Sequence, residues 1–247
     1  MTAELQVIVE RSYQVFKKYK ATIPLDACTA CCLTKEQEEQ LVYFSVRDIP
    51  FDLLYDYNTA AKTKSPSIQE FKHFLPRFLE LTAELKFVHH SAELVLSRFH
   101  YYDKNEWTEE ERELLQNYAK ALFCQCLTVY PLPELERIDS ILIMLAEIKI
   151  DIEWLLSEWT NSRTKESILH FNDLIMRGFK GSTQDQLWSG FGDKDLSRKI
   201  VEWLNRETTK SWFAQEIEKI IMNPPSDMEQ ATLEELSWTY EKMRFSM

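Results

Sequence analysis

Residues 134–160 read ELERIDSILIMLAEIKIDIEWLLSEWT, and within them Ile138, Ile141, Leu142, Leu145, Ile148, Ile152, Leu155 and Leu156 recur three or four positions apart. That is the spacing of one helical face, so the segment predicts the longest helix of the chain. Asn161-Ser162 breaks it, and a second helical pattern runs from Thr164 to Arg177, where Gly178 is placed as a left-handed cap. The pair 134–177 has the length of one helix-turn-helix repeat of an α-superhelix.

The same punctuation recurs on both sides. Thr2 caps a stripe of Leu5, Ile8, Val9, Tyr13, Phe16 and Tyr19; Thr34 and Gln37 form a capping box for a helix through Phe44; Pro50 opens a segment to about Lys64. Ser65-Pro66 starts an element over 67–86, in which Pro76 predicts a bend or a split near Leu75. Helices are expected at 91–102, from the Thr108/Glu111 box to Tyr130, and over 193–205, 209–222 and 226–245. Only four glycines occur in 247 residues, against an average usage of about 7%. Strand alternation and low-complexity tracts are absent from the sequence, and with them the case for sandwiches, barrels and nucleotide-binding sheets. The expectation is an all-α protein of about ten helices, stacked as antiparallel hairpins or wound as a short HEAT-like α-superhelix. It is expected to be one domain over 1–247, with the glycine-bearing loop 178–193 as the candidate sub-boundary.

Charge narrows the function classes. Lys and Arg number 29 and Asp and Glu 40, a net charge of −11, which argues against a nucleic-acid partner. Charges interrupt the N-terminal MTAELQVIVERSYQVFKKYK every few residues, unlike a signal peptide, and also break the richest apolar stretch, so neither export nor a membrane span is expected. Five cysteines without an export signal then read as cytoplasmic thiols or metal ligands, not as disulfides.

Asp26-Ala27-Cys28-Thr29-Ala30-Cys31-Cys32 is the most unusual local feature. A C-x-x-C spacing lets two thiolates reach one ion, and the following helix N-terminus favours the thiolate. Cys28, Cys31 and Cys32 are therefore candidate zinc ligands, with His89 and His90 as the imidazole candidates; Cys124 or Cys126 could add at most one sulfur. The competing reading is that these cysteines are small buried hydrophobes.

Other constellations carry less. Glu70 and His73 have the i, i+3 spacing of a di-iron ligand pair, but the further ligands are missing. Ser189-Gly190-Phe191-Gly192-Asp193 holds G-x-G without a preceding strand or third glycine and reads as a loop closing onto a cap at Asp193. The common hydrolase and nucleotide motifs do not occur, so no enzyme class is supported. Six tryptophans, Trp154, Trp159, Trp188, Trp203, Trp212 and Trp238, lie in the C-terminal part, mostly on apolar faces; one left exposed would suit a protein partner.

Pro24 to Cys32 (PLDACTACC), Tyr55 to Ala61 (YDYNTAA), Phe71 to Leu81 (FKHFLPRFLEL) and His89 to Leu94 (HHSAEL) together resemble an uncharacterised family of bacterial cytosolic proteins, over roughly 25–127. The resemblance implies an all-helical bacterial protein, with an association to genes that accompany secreted antibacterial toxins, and assigns no catalytic residue.

Two functions are expected from this. One is a non-enzymatic acidic protein that binds another protein, as an immunity protein would neutralise a basic toxin domain by charge steering and occlusion. Its acidic runs would be 36–39, 106–113 and 227–235. The other is a metal-binding or thiol-dependent protein centred on Cys28, Cys31 and Cys32.

Overall fold

The computed structural model describes residues 1–62, 67–180 and 186–245, and among these the chain is all-α. Eleven α-helices and five short 3-10 helices are present in the described residues; the nearest approach to a sheet is one isolated antiparallel bridge, Phe179 to Leu187. The residues fall into two compact units, Met1–Leu122 and Phe123–Met247, and the division lies inside a helix.

In the first unit the helices are α1 (Ala3–Val15), α2 (Lys35–Tyr43), α3 (Phe51–Thr59), α4 (Ile68–Ala83) and most of α5 (Glu109–Cys126). Thr2 caps α1 through the Leu5 N–H, and the Thr34/Gln37 box caps α2 reciprocally. The Thr108/Glu111 box does the same for α5. The core is built around α4, where Phe71, Phe74, Leu75, Phe78 and Leu79 are all buried. Phe99 stacks on Trp107 at 4.8 Å and meets Phe71 edge-on at 5.0 Å. Pro76 sits within an unbroken α4, so of the bend or split expected near Leu75 the split does not occur. The next residue, Arg77, pairs with Glu80 at 2.5 Å, and Glu80 also accepts from Tyr13 Oη of α1 at 2.6 Å, which locks α1 to α4.

Three further expectations in this unit change. Helix α3 ends at Thr59, short of Lys64, and both Lys64 and the Ser65-Pro66 start lie outside the described residues. The stretch 91–102 is two 3-10 pieces, Ala92–Leu94 and Ser97–Tyr101, instead of a helix. The reason is local: Asn58 Nδ2 of α3 donates to the carbonyls of Val88 (2.9 Å) and Val95 (3.1 Å), while the Phe99 N–H bonds Leu96 instead of Val95. Finally, α5 stops at Cys126 and passes into turns through Val129, before the expected end at Tyr130.

The second unit contains α6 (Ile138–Ala146), α7 (Ile152–Asn161), α8 (Lys165–Arg177), α9 (Lys194–Leu204), α10 (Glu207–Met222) and α11 (Gln230–Phe245). The long helix expected over 134–160 is therefore two helices. Glu134, Leu135 and Lys149 hold positive φ (57°, 58° and 60°), the last interrupting the helical path, and Asp151 then caps α7 through the Glu153 N–H. The apolar face survives the break, since Ile138, Ile141, Leu142, Leu145, Ile152, Leu155 and Leu156 are all buried. Gly178 closes α8 at φ −78°, so it is a right-handed cap and not the left-handed one expected. An aromatic cluster fills the core: Trp159 stacks on Trp203 at 5.3 Å, Phe171 lies face to face with Phe213 at 3.5 Å, and Trp159 Nε1 donates to the Ser167 carbonyl. Trp188 and Trp238 remain exposed. Asp193 caps α9 through the Leu196 N–H, as the loop reading expects. No helix is long and apolar enough to cross a membrane among the described residues.

Candidate metal centre

The cysteine loop belongs to the first unit and is fixed from below by buried carboxylates. Glu38 of α2 accepts the Leu25 N–H at 2.7 Å. Glu70 of α4 accepts the Asp26 N–H through both oxygens at 3.0 Å, and Tyr57 Oη at 2.7 Å. Burial pushes the Glu70 carboxyl up, against the hydrogen bonds from Tyr57 and Asp26 and the charge of Arg98, which pull it down. Arg98, with only 1% of its side chain exposed, donates to Asp26 Oδ2 (3.3 Å) and to the carbonyl of Tyr57 (2.9 Å), and its guanidinium lies 4.0 Å from the Tyr57 ring centre. The Cys28 N–H bonds the Ala61 carbonyl at 2.8 Å, and the N–H groups of Cys32 and Leu33 both return to the Cys28 carbonyl. The chain thus turns tightly over Cys28-Thr29-Ala30-Cys31 on a rigid base.

That turn brings three sulfurs together. Cys28 Sγ lies 3.4 Å from Cys31 Sγ, Cys31 Sγ lies 3.4 Å from Cys32 Sγ, and all three fall within 4.8 Å of one another. Cys31 and Cys32 are exposed and Cys28 is half-buried. The Cys31 thiol and the backbone N–H groups of Ala30 and Cys31 all bond Cys28 and hold it below the ordinary thiol value, whereas the bonds to Cys28 and Cys32 push Cys31 up to about 11. The loop therefore carries one half-buried cysteine whose thiol is held below its ordinary value beside two exposed cysteines.

The histidines do not join this group, which contains only the three cysteines among the described residues. His89 and His90 lie against each other with ring centres 4.1 Å apart and their planes tilted by 49°. Burial, helped by the nearby charges of His90, Lys62 and Arg98, drives His89 down to about 4. Cys126 is buried, which pushes its thiol up to about 12, and Cys124 is half-buried. Glu70 and His73, the i, i+3 pair, face different partners: Glu70 holds Asp26 and Tyr57, while His73 Nδ1 bonds the Tyr19 carbonyl at 3.1 Å. Sequence reasoning missed Glu38, Glu70 and Arg98 as the residues that hold the loop. Their only sequence signal is a charge set at a position that the helical period assigns to the core.

Comparison with protein-family models, curated proteins and solved structures gives no match.

Proposed function

We propose that the protein binds a thiophilic metal ion, zinc in the first instance, through Cys28, Cys31 and Cys32. The observation that carries this is the convergence of the three sulfurs on a loop held by Glu38, Glu70 and Arg98. Two thiolates on one zinc ion, each about 2.3 Å from it, stand roughly 3.8 Å apart in tetrahedral geometry, so separations of 3.4 Å and at most 4.8 Å fit the donor set. Three protein sulfurs leave a coordination position for an outside ligand, as in exchange and catalytic zinc sites and unlike closed structural ones. The backbone N–H groups on Cys28 supply the outer hydrogen bonds that orient and stabilise a coordinating thiolate.

The test is thiol protection in the native state. With equimolar zinc, Cys28, Cys31 and Cys32 resist alkylation while adding a chelator exposes them, each site being read by mass spectrometry. Equal alkylation with and without zinc overturns the proposal.

A further inference from the structure

The sulfur group has a donor count as well as a shape. Among the described residues it contains Cys28, Cys31 and Cys32 and no histidine or carboxylate. The carboxylates under the loop are engaged elsewhere: Glu38 with the Leu25 N–H, Glu70 with the Asp26 N–H and Tyr57 Oη, and Asp26 with Arg98. A tetrahedral ion on this group takes its fourth ligand from outside the group. A centre that bonds three sulfurs and carries a lone pair in the remaining direction is complete on these residues alone. The spacing points the same way. Two of the three sulfur separations are 3.4 Å, shorter than the roughly 3.8 Å between two thiolates on a tetrahedral zinc ion. A lone pair compresses the bond angles of a pyramidal centre below the tetrahedral value and so draws its sulfurs closer together. The third separation is at most 4.8 Å, and the exposed side chains of Cys31 and Cys32 have room to change rotamer and shorten it.

We infer that Cys28, Cys31 and Cys32 form a three-coordinate site for a trivalent metalloid, arsenic or antimony, taken up as its neutral hydroxide. This rests on the same convergence of sulfurs as the zinc reading, and names the ligand class that their number alone completes. The step balances without a co-reactant. Arsenous acid condenses with three thiols: three As–O bonds break, three As–S bonds form, and each thiol proton leaves with a hydroxyl as water. Neither arsenic nor sulfur changes oxidation state. The product is neutral, whereas three thiolates on a zinc ion carry a net negative charge, so no cation has to stand beside the loop to balance it. Exposure of Cys31 and Cys32 lets the hydroxide in from solvent. The turn is already closed by the Cys28 N–H on the Ala61 carbonyl and by the Cys32 and Leu33 N–H groups on the Cys28 carbonyl, so little ordering is left for binding to impose.

The experiment titrates sodium arsenite into chelator-treated full-length protein kept reduced by a thiol-free phosphine, and reads intact mass and alkylation at each cysteine. One arsenic per chain is expected, with the mass gain of one arsenic less three protons and with Cys28, Cys31 and Cys32 protected together while Cys124 and Cys126 are unchanged. Cys32→Ser leaves a dithiol and weakens binding by about tenfold or more, as loss of one arm of a chelate requires. No arsenic uptake, protection of only two of the three cysteines, or an unchanged affinity in Cys32→Ser overturns the inference. Cobalt binding, read by absorbance in the same preparation without arsenite, separates the two readings. Arsenic held on three sulfurs by protein that does not take cobalt upholds the metalloid site and sinks the zinc reading, and cobalt bound without arsenic uptake does the reverse.

Discussion

At the scale of single residues, the cysteine loop is defined by unequal thiols. Cys28 is drawn below the usual thiol value by the hydrogen bonds it accepts, and Cys31 is raised to about 11 by sharing the same contact. The expected consequence is site selectivity: in metal-free protein near neutral pH, iodoacetamide modifies Cys28 before Cys31, and peptide mapping reads the order. Modification of Cys31 first contradicts this ordering of the two thiols.

A second residue-level consequence concerns a charge buried in the same unit. Lys72, 2% exposed, donates to Glu111 at 2.7 Å and to the Glu106 carbonyl at 2.6 Å, and Tyr19 Oη also bonds Glu111. Burial pushes Glu111 up, but hydrogen bonds from Lys72, Tyr19 and the Thr108 N–H outweigh it and leave the folded value below 4.5. A carboxyl depressed on folding stabilises the protein above its unfolded value, and that stability is lost as the pH falls through the lowered folded value. Lys72→Met, which removes the buried cation but leaves Glu111 the bonds from Tyr19 and the Thr108 N–H and the Lys18 ammonium at 3.5 Å, is therefore expected to cost about 1–3 kcal/mol near neutral pH. The gap from wild type narrows once the pH drops below 4.5, where Glu111 takes up its proton in the variant and in the unfolded chain. Urea unfolding at several pH values checks this; a gap that does not change with pH contradicts it.

At the scale of elements, capping chemistry was legible and interruptions were not. Thr2, Thr34 with Gln37, Thr108 with Glu111 and Asp193 each cap the helix that the sequence assigns to them, and Thr164, read as the first residue of its helix, is its N-cap. The break inside 134–160 has no glycine or proline to announce it between Ile138 and Thr160; Lys149 simply adopts φ 60°. The apolar period continues through it because both halves bury the same face, so periodicity cannot see the turn. The segment 91–102 fails as a helix for a tertiary reason, the capture of the Val88 and Val95 carbonyls by Asn58, which no local pattern encodes. The left-handed residue does offer a test. Lys149→Gly removes a Cβ clash worth roughly 1–2 kcal/mol, partly offset by the greater entropy glycine loses on folding, so the net gain is expected to be about 0.5–1 kcal/mol. Thermal unfolding reads it, and a destabilised variant contradicts the assigned conformation. Leu85 is a parallel case: at φ 58° it ends α4 in a Schellman motif, with the Lys86 N–H on the Leu81 carbonyl and the Leu85 N–H on that of Thr82.

At the scale of the whole molecule, the all-α class followed from glycine scarcity and periodic faces, and the described residues bear it out. The net charge of −11 is less telling once partners are known. In the run 36–39, Glu38 holds the Leu25 N–H; in 106–113, Glu109 pairs with Arg112, Glu110 with Arg11 and Glu111 with Lys72; in 227–235, Asp227 pairs with Lys165 and Glu235 with Arg177. Each run spends carboxylates on its own unit, so capture of a basic partner stands as a proposal on overall charge alone. The cysteine loop was legible because C-x-x-C spacing is a local property. Its support was not, because Glu38, Glu70 and Arg98 reach it from 12, 44 and 72 residues past Asp26.

The measurement that tests the central claim most directly is a cobalt(II) titration of the metal-free protein followed by absorbance. One equivalent of cobalt, an intense thiolate-to-metal charge-transfer band, its loss in Cys28→Ser and Cys31→Ser, and its displacement by zinc are the results expected. Absence of that band at saturating cobalt, or a band unchanged in both variants, contradicts a metal site at Cys28, Cys31 and Cys32.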